Sequence, residues 1–166
     1  PHNWAAVCCG SAGAAALLLV DDHERLAGIT DRVLRALDGF LDGFAADGGC
    51  REGVGYWTYG FGHFVIYTEA LRAFTDGRID LLRDARAARV AAFPALVSLG
   101  RGWPRFSDVS DDAQLPLGLV SRLHARLGVD VPDGAGLSVD AGRTLRFTVA
   151  ARNVLWSDPA LLERRR

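Results

Sequence analysis

The stretch Trp4–Val20, WAAVCCGSAGAAALLLV, decides the architecture, because it runs for seventeen residues without a charge. At ~1.5 Å rise per residue it makes a helix of roughly 25 Å. That is at the short limit for a membrane span, and Gly10, Ser11 and Gly13 interrupt it with no basic flank in front. A helix covered on all sides within a water-soluble fold accounts for it better. The following stretch has the opposite character. Leu26, Ile29, Val33, Leu34, Leu37, Phe40, Leu41 and Phe44 recur at spacings of three and four, and Arg25, Asp31, Arg32, Arg35, Asp38 and Asp42 fill much of the remaining arc. This predicts an amphipathic helix over 24–44, stopped by Ala46-Asp47-Gly48-Gly49.

A wholly apolar helix followed by an amphipathic one is the pairing an α/α barrel or toroid uses, with inner helices covered and outer helices wet on one face. The rest of the chain continues in helices. Phe61, Phe64, Val65, Thr68, Leu71 and Phe74 predict a third one ending near Asp76-Gly77, and 79–99 a fourth, or two short ones broken at Pro94. Residues 100–114 and 129–142 are turn-rich; 115–127 returns to helical spacing, and 145–156 fits helix or strand by periodicity, with helix favoured. The expected fold class is all-α, an incomplete (α/α) toroid of antiparallel helix pairs, with residues 1–166 forming part of one toroid domain.

The bulk composition narrows the function classes. With 166 residues, 49% apolar and 23% charged, the chain can bury one core. A net charge of −1 and a pI near 6.5 provide no field for a nucleic-acid backbone or an anionic membrane surface. All 19 basic residues are Arg, a composition bias before it is a function. Cys8, Cys9 and Cys50 are an odd number without metal spacing and are expected as free thiols. The first residue is Pro1 and Met is absent, so the chain is expected to be a piece of a longer protein.

Between the second and third helices lies Gly49–Gly62, GCREGVGYWTYGFG, expected as a glycine-rich aromatic loop. Its glycines lack the Lys-Ser/Thr sequel of a phosphate loop and follow no strand, so a nucleotide cradle is excluded. If 4–20 and 24–44 run antiparallel, the chain returns to the end at which it began. His2, Asn3 and Trp4 then lie near Glu52, Tyr56, Trp57 and Tyr59. Each of these residues has two readings: Asn3 is a good helix N-cap or a ligand contact, Trp4 and Trp57 are core or stacking platforms, and His2 is a frayed terminus or a base. Glu52 either faces a helix dipole or supports a neighbour, and His63, at i+4 from Tyr59, is read as structural.

The run His2-Asn3-Trp4, followed by Val7-Cys8 and a small-residue helix, resembles the Asn-Trp helix start of heparinase II/III-like polysaccharide lyases. Glu52-Gly53-Val54-Gly55-Tyr56-Trp57-Thr58-Tyr59-Gly60 resembles the same family's EGxGYWxYG segment, and Leu155–Pro159 the close of its helical domain. The resemblance is strong over residues 2 to about 75. It implies a toroid whose earlier helices and following β-sandwich lie outside this chain, and a periplasmic or secreted protein. It also implies cleavage of an acidic polysaccharide by β-elimination at a uronic acid. Tyr56, Asn3 and His2 are the implied catalytic residues: Asn3 hydrogen-bonds the carboxylate, Tyr56 acts as acid, base or both, and His2 is a second carboxylate ligand or base. Glu52, Trp4, Trp57 and Tyr59 are expected to contact substrate, and neither a cofactor nor a metal is implied. The alternatives are a non-catalytic carbohydrate-binding or structural α/α domain, or an α/α-barrel glycoside hydrolase pairing Glu52 with Asp47 or Asp111.

Overall fold

Asn3 and Trp4 are already helical in the computed structural model, which describes residues 3–100, 102–107, 109, 113–140 and 146–164. The helix widens into a π-turn at Ala5–Cys9 and continues as α1, Gly10–Leu19. The Asp22 carboxylate accepts from the Arg25 amide and starts α2, His23–Leu41, whose buried face is Leu26, Val33, Leu37, Phe40 and Leu41. Then come α3, Gly53–Phe74, a 3₁₀ turn at Leu81–Arg83, and α4, Ala85–Val97. β1, Leu115–Pro116, pairs in parallel with β2, Leu137–Ser138, on either side of α5, Leu117–Leu127. The last helix is α6, Arg146–Trp156, followed by a 3₁₀ turn at Pro159–Glu163. The chain is mostly helical, as expected of the all-α class, and the two short strands are its only ladder among the described residues.

Three expectations are corrected. The first helix is covered on one side only: Ala6, Gly10, Gly13, Ala16 and Leu17 are buried, whereas Trp4, Leu18 and Leu19 are 59%, 85% and 78% exposed. The buried side is made of small residues because α1 lies almost backbone to backbone on α3. A Cβ on Gly13 would come within 2.6 Å of the Tyr67 ring.

Second, the aromatic glycine stretch is helix and not loop from Gly53 onward. Glycine inside a helix costs up to about 1 kcal/mol per residue. Here Trp57, Phe61 and Phe64, at i, i+4 and i+7, form a buried stripe with ring centroids 5.6 and 5.3 Å apart, and this burial offsets the cost.

Third, Pro94 lies inside α4 and does not end it. Proline has no N–H, so the Val90 carbonyl one turn earlier is left free, and the Trp57 indole N–H donates to it at 2.7 Å. The break in 79–99 falls instead at Asp84, whose carboxylate caps α4 by accepting from the Arg86 amide at 2.8 Å. The same Arg86 reaches Asp38 and Asp42 on the α2 side, each at 2.5 Å, and so ties α4 to α2.

Hydrogen bonding to Arg86 holds the Asp84 carboxyl below its ordinary 3.8. A depressed folded-state value means the unfolded chain binds the proton more readily. The Asp84 contribution is therefore present above about pH 4 and is lost as pH falls through the lowered value. Acid unfolding followed by circular dichroism should show this as a transition that Arg86→Met moves to higher pH.

At the other end, Asn153 on α6 joins three segments. Its Oδ1 accepts from the Gly118 amide at 2.8 Å, and its Nδ2 donates to the Val139 carbonyl at 2.8 Å. Gly118 is required there, since a Cβ would sit 2.5 Å from the Arg152 carbonyl oxygen.

Candidate functional site

The connection 42–52 brings the chain back to its start. Gly48 has φ of +89°, and a Cβ on it would meet the Arg89 carbonyl at 2.3 Å, so the connection is pressed onto α4 at a point only glycine fits. It ends at Glu52, immediately before α3. There the Asn3 Nδ2 donates to Glu52 Oε2 at 2.5 Å, across 49 residues of sequence.

Asn3 is only 7% exposed. It fits because position 60 is glycine: a Cβ there would lie 2.3 Å from Asn3 Oδ1. A carboxamide carries two N–H donors. Glu52 takes one of them, and Asn3 lines a cleft of about 290 Å³ together with Phe40, Gly43, Phe44, Cys50, Arg51 and Glu52. Asn3 is itself helical, so it does not stand at the N-cap position of this helix.

Tyr56 follows Glu52 by one helical turn and is 37% exposed. Tyr59 is half-buried, its ring edge-on to that of His63 at 5.5 Å. Trp4 is exposed. Trp57 is not: it is fully buried with its indole N–H on Val90, so it is a core residue and the expected substrate contact is withdrawn. His2 and Asp111 lie outside the described residues.

His63 is 9% exposed, and its Nδ1 is 2.7 Å from the Tyr59 carbonyl oxygen. Beside it a cavity of about 30 Å³, lined by Thr58, Gly62 and Arg152 among others, has room for about one water. His63 is therefore structural. Of the carboxylates in the hydrolase alternative, Glu52 accepts from Asn3 and Asp47 Oδ1 accepts from the Gly49 amide at 2.9 Å, while Asp111 lies outside the described residues.

No family model matches this chain, and no curated protein does.

Two residues of the cleft were given no role in it by the sequence, although both lie within two positions of Glu52. Cys50 is buried, and burial pushes its thiol up from the ordinary value of 9.0 against the opposing pull of the Glu52 and Gly53 amides. All three cysteines are free. Arg51 is exposed at the mouth of the cleft. Among the described residues no cluster of three or more His, Cys, Asp or Glu could hold a metal, and no helix is long and apolar enough to cross a membrane.

Proposed function

We propose that this chain is part of the catalytic (α/α) toroid of a heparinase II/III-like lyase, cleaving a uronate-containing glycan by β-elimination. The observation that carries the reading is the hydrogen bond between Asn3 and Glu52. It joins the two segments that resemble the family, at the edge of a cleft lined by both residues.

The chemistry follows from those side chains. A C6 carboxylate must lose part of its negative charge before the C5 proton becomes acidic enough to leave. The second Nδ2–H of Asn3 donates to that carboxylate, and Glu52 holds the amide in orientation. When a base takes the C5 proton, its electron pair forms the C4–C5 double bond and the C4–O4 bond breaks. The departing oxygen takes a proton from the Tyr56 hydroxyl. His2, or Tyr56 as tyrosinate, is the base. Trp4 and Tyr59 offer aromatic faces to neighbouring sugar rings. The exposed Leu18 and Leu19 of α1 are covered in the intact toroid by preceding helices, a β-sandwich follows, and the protein works in the periplasm or outside the cell.

The test uses the intact protein beside its Tyr56→Phe form on heparan sulfate, chondroitin, hyaluronan and alginate, following the ultraviolet absorbance of the new double bond. The expected result is product from at least one glycan and a loss of about 10²-fold or more in the Phe form. Binding without product from any of the four would replace this reading with a carbohydrate-binding domain. Full activity in the Phe form would remove Tyr56 from the chemistry.

A further inference from the structure

We propose that Arg51 is the residue that reads ligand charge in the Asn3–Glu52 cleft, by pairing with an anionic substituent of a bound sugar. The inference rests on the reading of the cleft as a glycan site, and adds to it a residue that neither the resemblance nor the motif spacing singles out.

Charge accounting within the connection 42–52 leads to it. This segment carries three acids and one cation. Asp42 is held by Arg86 at 2.5 Å, Asp47 accepts from the Gly49 amide at 2.9 Å, and Glu52 accepts from Asn3 at 2.5 Å. Arg51 is exposed and has no carboxylate partner among the described residues. Arg86 and Arg126, by contrast, each hold two or more carboxylates.

Glu52 makes the need for a cation explicit. Its carboxylate stands at the edge of the cleft, and a second carboxylate or a sulfate brought beside Asn3 would be repelled by it. Asn3 donates a hydrogen bond but carries no charge. Among the described residues that line the cleft, Arg51 alone is cationic. A guanidinium matches a carboxylate or a sulfate through paired N–H donors, which an ammonium cannot reproduce in the same plane. The ligand class is an acidic saccharide, with the apolar faces of Phe40 and Phe44 lining the same volume of about 290 Å³.

The experiment is titration calorimetry on the intact protein with two probes, an alginate oligosaccharide and the same oligosaccharide with its carboxyls reduced to alcohols. The wild type should bind the acidic probe at least about tenfold tighter, with an affinity that falls as salt rises. Arg51→Gln should remove both the preference and the salt dependence, and Arg51→Lys should keep part of each. Arg51 is exposed, so both variants should melt with the wild type.

An Arg51→Gln form that keeps the full preference overturns the assignment, as does a wild type that binds neither probe or both equally. The two readings fail separately. Product formation with an unchanged KM in Arg51→Gln leaves the lyase standing and removes Arg51. A charge preference lost in Arg51→Gln, without product from any glycan, leaves Arg51 standing and removes the lyase.

Discussion

Replacing Asn3 by alanine in the intact protein is expected to lower kcat/KM on the cleaved glycan by about 10²–10³-fold, the usual effect of losing one preorganised donor to a developing anion. The loss should fall mainly on kcat, because the enolate-like transition state places more charge on the carboxylate oxygens than the bound ground state does. Stability should change little. Asn3 is buried, but its partner Glu52 is exposed and regains water when the amide is gone. Steady-state kinetics and a thermal melt on the same preparation check both halves. A large fall in melting temperature with an unaltered rate would make Asn3 a packing residue and nothing more.

The second large effect concerns the fold. Arg126 on α5 donates Nη1 to Glu69 on α3 and Nη2 to Asp80 at 2.6 Å. The Arg126, Glu69 and Asp80 side chains are only 17%, 12% and 6% exposed. Among the described residues, Arg126→Met would leave Glu69 only Arg122, at 3.8 Å, and Asp80 only Arg72 and Arg83, at 3.8 and 3.7 Å. Breaking a buried ion pair from one side costs about 3–5 kcal/mol, and these remaining cations place the cost at the lower end, about 3 kcal/mol. In a domain of this size that corresponds to a fall in melting temperature of roughly 10 °C. The control is Arg35→Met, whose partner Asp31 lies on the open face of α2, with the two side chains 69% and 58% exposed. That pair should contribute less than about 1 kcal/mol. Chemical denaturation of both variants distinguishes a buried ionic clamp from a solvated one, and equal effects would contradict the assignment.

How far the fold could be read in advance depended on the range of the physics involved. Helix spacing is local, so α2 and α5 were legible, α6 was favoured as helix over strand, and the return of the chain from Asn3 to Glu52 followed from simple helix lengths. Glycine and proline mislead when their effect is decided at a distance. The start of α3 looked like a loop because Gly53, Gly55, Gly60 and Gly62 are poor helix formers, but the Trp57–Phe61–Phe64 stripe overrides them by burial. Pro94 looked like a break, yet the carbonyl it frees is satisfied by Trp57, 33 residues earlier in the chain.

The same long-range bond moved Trp57 from candidate platform to core, which no property of EGVGYWTYG taken alone distinguishes. The uncharged run of α1 told of a helix but not of which face would be covered, because without a polar arc there is no phase to read. At the site, Asn3, Glu52 and Tyr56 were named from residue type and resemblance. Arg51 was not, since a single charge beside a glutamate shows that it has no carboxylate partner among the described residues only when the partners of Asp42, Asp47 and Glu52 are known.

Whether bond cleavage draws oxygen from solvent is the most direct test of the central claim. The intact protein should be incubated with an acidic glycan in oxygen-labelled water, and the products weighed by mass spectrometry. β-Elimination predicts a new non-reducing end one water lighter than a hydrolysis product, with no solvent oxygen beyond the anomeric oxygen that exchanges at every reducing end. Fragments whose new non-reducing ends keep the full mass of a saturated sugar would contradict the account and transfer the cleft to hydrolysis.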